Sequence, residues 1–219
     1  MRVVVPSETR AGEKRVALLP DIISKLTRAG LSVAVQSQAG IHAGANDAAY
    51  TDAGATVFSS SQLTSELGSA DVVLSVQPLA PSLIGNLKRG AITISFLSPT
   101  SANDSIAAAV KSGVTAFSLE AVPRISRAQS MDALTSQALC AGYKAALVAA
   151  ELSPRFFPLL MTAAGTVTPA NVLVLGAGVA GLQAIATARR LEQSCLRMTF
   201  DHHRLMKSDP WAQHLSNWS

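Results

Sequence analysis

Cysteine is nearly absent from this chain: Cys140 and Cys195 are the only two in 219 residues. They supply neither a disulfide framework nor a metal-ligand spacing, so no metal centre is expected. Aromatic residues make up 5% of the sequence and charged residues 15%. A formal charge of +4 and a pI near 9.4 would suit a nucleic-acid binder, but the Lys and Arg residues are scattered and no basic stripe with stacking side chains occurs. A nucleic-acid partner is therefore not expected. Long apolar runs are missing too. The best candidates, 138–152 and 156–167, are broken by Lys144 or fall short of the ~18 residues that a membrane span requires. The start, Met1-Arg-Val-Val-Val-Pro6, reads as a strand and not as a signal peptide. The expectation is a cytoplasmic protein with no membrane span of its own, any span being supplied by a partner.

What is present is a chain 48% hydrophobic, enough for a packed core. Short β-like runs at 3–5, 31–35, 56–58, 71–76, 91–96 and 114–119 alternate with helix-like segments at 20–30, 47–53, 61–67, 82–87 and 101–112. Pro20 suits a helix start and Gly30 a helix stop. Alternation of this kind predicts an α/β fold with a Rossmann-like parallel sheet covered on both faces. Neither an internal repeat nor a low-complexity linker interrupts it. The expected organisation is an N-terminal α/β domain at 1–130, a connecting helix and the start of a second Rossmann domain at 131–191, and a tail at 192–219.

The second domain opens on Val172-Leu-Val-Leu-Gly-Ala-Gly-Val-Ala-Gly181, followed by the Ala-rich run 182–189. Gly176, Gly178 and Gly181 fit G-x-G-x-x-G, between an apolar strand and a helix. In that motif one glycine makes the tight turn, one lets the backbone approach a pyrophosphate, and one lets helix and strand pack closely. Gly176, Ala177, Gly178, Val179, Ala180 and Gly181 are thus the candidate pyrophosphate turn, the anion resting on free helix N–H groups. A glycine-rich strand-to-helix turn without a ligand has the same local pattern.

A second stretch, Pro123-Arg-Ile-Ser-Arg-Ala-Gln-Ser-Met-Asp132, gathers two guanidinium groups, an amide, two hydroxyls and a carboxylate where a strand's carboxyl end opens. Ser130 is expected to cap the helix that follows and Asp132 to complement its dipole. Glu8, Glu13 and Asp71 read as surface or capping residues. The histidines, His42, His202, His203 and His214, read as exposed.

Taken together, Pro123 to Asp132, Ala141-Gly-Tyr143, Met161-Thr-Ala-Ala-Gly165 and Val174-Leu-Gly-Ala-Gly-Val-Ala-Gly-Leu-Gln183 resemble the alpha subunit of the proton-translocating NAD(P) transhydrogenases. The opening Glu8-Thr-Arg-Ala-Gly-Glu-Lys-Arg-Val-Ala17 is shared with the related alanine dehydrogenases. The resemblance implies a soluble NAD(H)-binding component that passes hydride to NADP(H) held on a partner component, coupled to proton movement through a partner membrane component. It also implies a peripheral place at the inner membrane and a homodimer when the chain is intact. By the same resemblance Arg124, Gln129 and Asp132 are the residues at the nicotinamide, and Thr135 stands where the family uses a serine. Hydride transfer between two nicotinamide rings moves no substrate proton, so such a site needs positioning and polarisation and no general acid. An alanine dehydrogenase-like enzyme is the alternative. It would use a lysine and a histidine for its keto acid, and Ser75 and Ser98 stand in those places here, although Arg15 of the same set is present.

After Leu191 the pattern departs from the family. An apolar second strand ending in an acidic residue is expected, and the chain gives Glu192-Gln-Ser-Cys-Leu-Arg-Met-Thr-Phe-Asp-His-His-Arg204. Asp201 lies at the distance of a ribose ligand. A permitted set of codons for this stretch, with one G restored after the Leu191 codon, reads Leu-Gly-Ala-Val-Val-Ser-Ala-Tyr-Asp-Val-Arg-Ser, which is the missing strand. A one-base frameshift is therefore expected, leaving a truncated form that binds NAD poorly or not at all and is prone to aggregate, or else a non-catalytic α/β remnant.

Overall fold

The computed structural model describes residues 1–101, 103–191 and, for the backbone alone, 194–198. The chain divides into two compact units, Met1–Asp132 and Ala133–Ser219.

In the first unit β1 (Arg2–Val5), α1 (Pro20–Arg28), β2 (Ser32–Gln36), α2 (Asp47–Asp52), β3 (Thr56–Phe58), α3 (Leu63–Ser69), β4 (Val72–Leu74), α4 (Pro81–Ile84), β5 (Ile92–Ser95), α5 (Asn103–Ser112) and β6 (Thr115–Ser118) follow one another. The six strands form one sheet in the order β3-β2-β1-β4-β5-β6, each neighbouring pair parallel. This is the doubly wound α/β fold that the alternating pattern predicts.

Strand periodicity sorts the core into two layers. Val4, Ala34 and Val73 point to one face and pack with Leu67, Ile84, Leu87 and Ala109. Val3, Val5, Val33 and Val35 point to the other and pack with Ile23 and Tyr50. Both β1 faces are covered, which is why Val3-Val4-Val5 reads as a continuous apolar run instead of an alternating one. Tyr50 is wholly buried, and its hydroxyl donates to the Leu18 carbonyl at 2.9 Å. Three of these helices, α1, α2 and α5, are followed by left-handed glycines, Gly30, Gly54 and Gly113. Gly30, at φ +82°, lets the Gly30 N–H donate to Thr27 O and the Leu31 N–H to Leu26 O.

Several element ends differ from expectation for identifiable reasons. β4 begins after Asp71, whose carboxylate accepts from the Arg2 backbone N–H at 2.6 Å and pairs with Lys88. It ends before Val76, whose N–H is taken by Glu8 instead of the ladder. The long connecting helix starts at Ala133, because the residues before it are wound as a 3-10 helix over Ser126–Met131. Ser130 therefore lies inside that turn and does not occupy the cap position expected of it.

The second unit holds α6 (Ala133–Leu152), β7 (Leu160–Thr162), β8 (Gly165–Val167), β9 (Asn171–Leu175), α7 (Val179–Arg190) and β10 (Ser194–Met198). β7 and β8 make an antiparallel hairpin, whereas β9 and β10 pair in parallel with Asn171 opposite Ser194. β9, α7 and β10 thus form one β-α-β crossover of the kind that opens a dinucleotide-binding domain. Residues 199–219 lie outside the described residues, and with them Asp201, His202, His203 and His214. No helix among the described residues is long and apolar enough to cross a membrane.

Candidate functional site

The glycine turn of the second unit has the geometry the motif requires. Gly176 ends β9 at φ +104°, a conformation that side chains disfavour. A Cβ added at Gly181 would stand 2.1 Å from the Gly176 carbonyl oxygen and 3.6 Å from Val174 Cγ1, so strand and helix are in backbone contact there. Gly178 precedes α7, and a Cβ there would meet nothing within 4 Å. Neighbouring protein atoms therefore do not demand glycine at 178. Open space at the start of α7, where a helix's first N–H groups lack intrahelical partners, is what an approaching pyrophosphate needs, and the turn fits that group. The Leu182 N–H donates to Gly178 O at 2.9 Å, so the Val179, Ala180 and Gly181 N–H groups precede the helix's own ladder.

In the first unit the polar loop wraps a cavity of about 380 Å³ lined by Arg124, Ile125, Ser126, Ala128, Gln129 and Asp132. Ala128 is buried and anchors the 3-10 turn through its N–H to Ile125 O at 2.9 Å, while Arg124, Ser126 and Gln129 are exposed. The turn thus brings Arg124, Gln129 and Asp132 to one concavity, with Arg127 exposed and outside the lining. Thr135 lies in the first turn of α6, half-buried, and belongs to the second unit.

The sheet order reverses between β1 and β4, the switch point at which open α/β sheets receive ligands. Two cavities flank it. One of about 270 Å³ is lined by Glu8, Arg10, Ser75, Gln77 and Ser105 among others, and one of about 300 Å³ by Glu13, Lys14, Arg15, Gln36 and His42 among others. No glycine fingerprint follows β1. In its place the 6–19 loop crosses the sheet's carboxyl edge and is held by carboxylates.

Those carboxylates correct the reading of Glu8 and Glu13 as surface or capping residues. The Glu8 carboxylate accepts from the Val76 N–H at 2.6 Å and the Gln77 N–H at 3.1 Å, and burial raises its pKa against the pull of those two bonds. The Glu13 side chain is 7% exposed. It accepts from Arg15 Nε at 2.7 Å, Arg15 Nη2 at 2.6 Å and Gln77 Nε2 at 2.6 Å. The Arg15 bonds, outweighing burial, hold its pKa at about 2. Arg15 in turn has its guanidinium carbon 5.8 Å from the centre of the Phe96 ring, and its Glu13 bonds raise its own pKa. Sequence reasoning missed this network because its partners lie up to 69 residues apart and meet only once β1 and β4 are neighbours.

Ser75 and Ser98 fall at the carboxyl ends of β4 and β5. The Ser75 hydroxyl donates to Gln77 O at 2.8 Å. Ser98 sits at φ +49° with its N–H, like that of Leu97, bound by the Glu120 carboxylate. Among the described residues the cation lining the Ser75 cavity is Arg10, whose Nη1 donates to Gln77 Oε1 at 3.0 Å. No group of His, Cys, Asp and Glu able to hold a metal occurs among the described residues.

Comparison with known proteins agrees with this architecture. Residues 4–141 match the N-terminal domain of the alanine dehydrogenase/PNT family, and residues 145–214 match its C-terminal domain. The second match runs past Leu191, across the stretch that departs from the expected pattern. The chain is 46% identical over 196 residues to an NAD(P) transhydrogenase alpha subunit component of Rhodospirillum rubrum, covering 87% of this chain and 50% of that protein. It is 31% identical over 212 residues to an alanine dehydrogenase of Mycobacterium tuberculosis, covering 95% of this chain and 56% of the enzyme. A crystal structure of transhydrogenase from Sinorhizobium meliloti superposes with a TM-score of 0.85 at 41% identity, over 90% of this chain and 58% of that one. The chain thus spans about half the length of these relatives.

Proposed function

Because this chain belongs to the alanine dehydrogenase/PNT family, we propose that it is the NAD(H)-binding component of a proton-translocating NAD(P) transhydrogenase. Its partners are an NADP(H)-binding component and a membrane component that carries the protons, and through them it is held peripherally at the membrane. NAD(H), when bound, supplies the hydride that passes directly to NADP+.

This chain's own residues bind and orient. In the second unit the Val179, Ala180 and Gly181 N–H groups hold the pyrophosphate, with Gly178 leaving room for it. In the first unit Arg124 and Gln129 offer guanidinium and amide groups to the nicotinamide carboxamide, with Asp132 beside them; Thr135, in the first turn of α6 of the second unit, offers a hydroxyl. The observation that carries the reading is the 380 Å³ cavity on which Arg124, Gln129 and Asp132 converge. Among the described residues its lining includes no histidine, lysine or tyrosine, so what they offer is positioning and polarisation. The serines at 75 and 98 cannot themselves lend a cation to a substrate carboxylate, although Arg10 lines the Ser75 cavity.

A homodimer and an out-of-frame origin for 192–219 belong to this proposal. β9 pairs with β10 among the described residues and leaves Leu173 and Leu175 exposed, so the second sheet buries little apolar surface. Affinity for NADH is accordingly expected to be weak in this chain alone. The test is to mix the chain with an NADP-binding component and follow NADP+ reduction by NADH. Transfer that depends on this chain is expected. Pyruvate- and ammonium-dependent oxidation of NADH by the chain alone would overturn the reading in favour of an amino-acid dehydrogenase.

A further inference from the structure

We infer that Gly142, in the middle of α6, is a positioning residue for the dinucleotide, acting through the backbone of the glycine turn. The inference rests on the reading that residues 176–181 hold the pyrophosphate. Gly142 is buried, and a Cβ built on it would stand 2.1 Å from the carbonyl oxygen of Ala180, 2.8 Å from its carbonyl carbon and 2.9 Å from its Cα. All three atoms are backbone, so no side chain can swing aside to admit a methyl group. Ala180 lies between Gly178 and Gly181 in the first turn of α7, the turn whose N–H groups face the anion. The turn is therefore clamped from two directions. On the strand side Gly181 rests on the Gly176 carbonyl, and on the helix side Gly142 rests on the Ala180 carbonyl.

Local propensity gives the opposite expectation. Alanine is a better helix former than glycine in a helix interior, so Gly142→Ala considered within α6 alone would stabilise the helix. The contact overrides this. To restore an ordinary C···O separation, α6 or the first turn of α7 must retreat by about 1 Å, and donors aimed at an anion tolerate little displacement. The neighbouring Ala146 is also buried on this α6 face. Small residues there let the helices close up, and Gly142 is the one whose added Cβ would collide with the Ala180 backbone among the described glycines.

The experiment compares the unsubstituted chain with Gly142→Ala and with Ala145→Ser, a change on the exposed side of α6. NADH affinity is measured by ligand-observed NMR, and amide hydrogen exchange is read residue by residue. Gly142→Ala is expected to weaken NADH at least tenfold and to speed exchange at Leu182, Gln183 and Ala184, leaving 186–190 and the first unit protected, while Ala145→Ser changes neither. Unaltered affinity in Gly142→Ala overturns the inference. So does loss of protection along the whole of α6 and α7, which would make the glycine's role structural only. If the unsubstituted chain shows no NADH binding at millimolar concentration, the dinucleotide reading itself fails and the inference falls with it.

Discussion

Replacing Glu13 by glutamine separates the charge in the switch-point network from its shape. The carboxylate is 7% exposed, receives three side-chain hydrogen bonds, and has its pKa lowered from 4.5 to about 2. A group whose folded pKa is depressed stabilises the native state above its unfolded value and loses that contribution as pH falls through the folded value. The Glu13 contribution is therefore complete above about pH 5 and lost between roughly pH 4.5 and 2. Its ceiling is about 3 kcal/mol, and because the Arg15 side chain is 40% exposed, solvent screening brings the expected figure to roughly half of that. Glu8 works in the opposite direction. Burial raises its pKa, so its contribution is present below about 4.5 and declines as pH rises through the raised value. The Glu8 background is common to both proteins, so the difference between wild type and Glu13→Gln isolates Glu13. Urea unfolding from pH 2 to pH 7 should show Glu13→Gln less stable at neutral pH, with the gap closing by pH 2. A gap that stays constant across the range would refute the assignment of this carboxylate as an ionised anchor of the 6–19 loop.

Tyr50→Phe should cost about 1–2 kcal/mol, because the fully buried ring stays packed while the Leu18 carbonyl loses the hydroxyl that donates to it; thermal and urea denaturation of the whole chain would measure it. Gln129→Leu, an exposed change, should leave stability within about 0.5 kcal/mol of wild type and weaken NADH, as a paired denaturation and NMR titration would show. Genomic DNA read across the Leu191 codon should yield, with one G restored, a frame encoding Gly-Ala-Val-Val-Ser-Ala-Tyr-Asp; a frame without such a restoration would make the 192–219 segment native.

The first unit was legible because its code is local. Apolar runs of up to three residues, Pro20 at a helix start and glycines just past helix ends are each read within a few positions, and all six strands fall inside or within one residue of their expected runs. The glycine turn was legible for the same reason. The β7–β8 hairpin was not, because its side chains are almost all exposed and small residues at its turn leave no alternating pattern to detect. β10 was also missed, since Ser-Cys-Leu-Arg-Met is not an apolar run. Least legible was the set of contacts that depend on sheet order. Glu8 reaches Val76 and Gln77, and Glu13 reaches Gln77, only because β4 lies beside β1, and nothing within ten residues of either glutamate announces it. At the loop, the family resemblance singled out residues 124, 129 and 132, but the 3-10 winding that brings them to one cavity emerges only in three dimensions.

Saturation-transfer NMR of millimolar NADH with the purified chain asks whether NAD(H) is held by the turn at 176–181 and the loop at 124–132, and the method detects weak ligands. Transfer to NADH is expected from the unsubstituted chain. It should be lost in Gly181→Val, which forces a side chain onto the Gly176 carbonyl, and reduced at the nicotinamide protons in Arg124→Ala. Absence of transfer in the unsubstituted chain, or equal transfer in all three proteins, would contradict NAD(H) binding at these two sites.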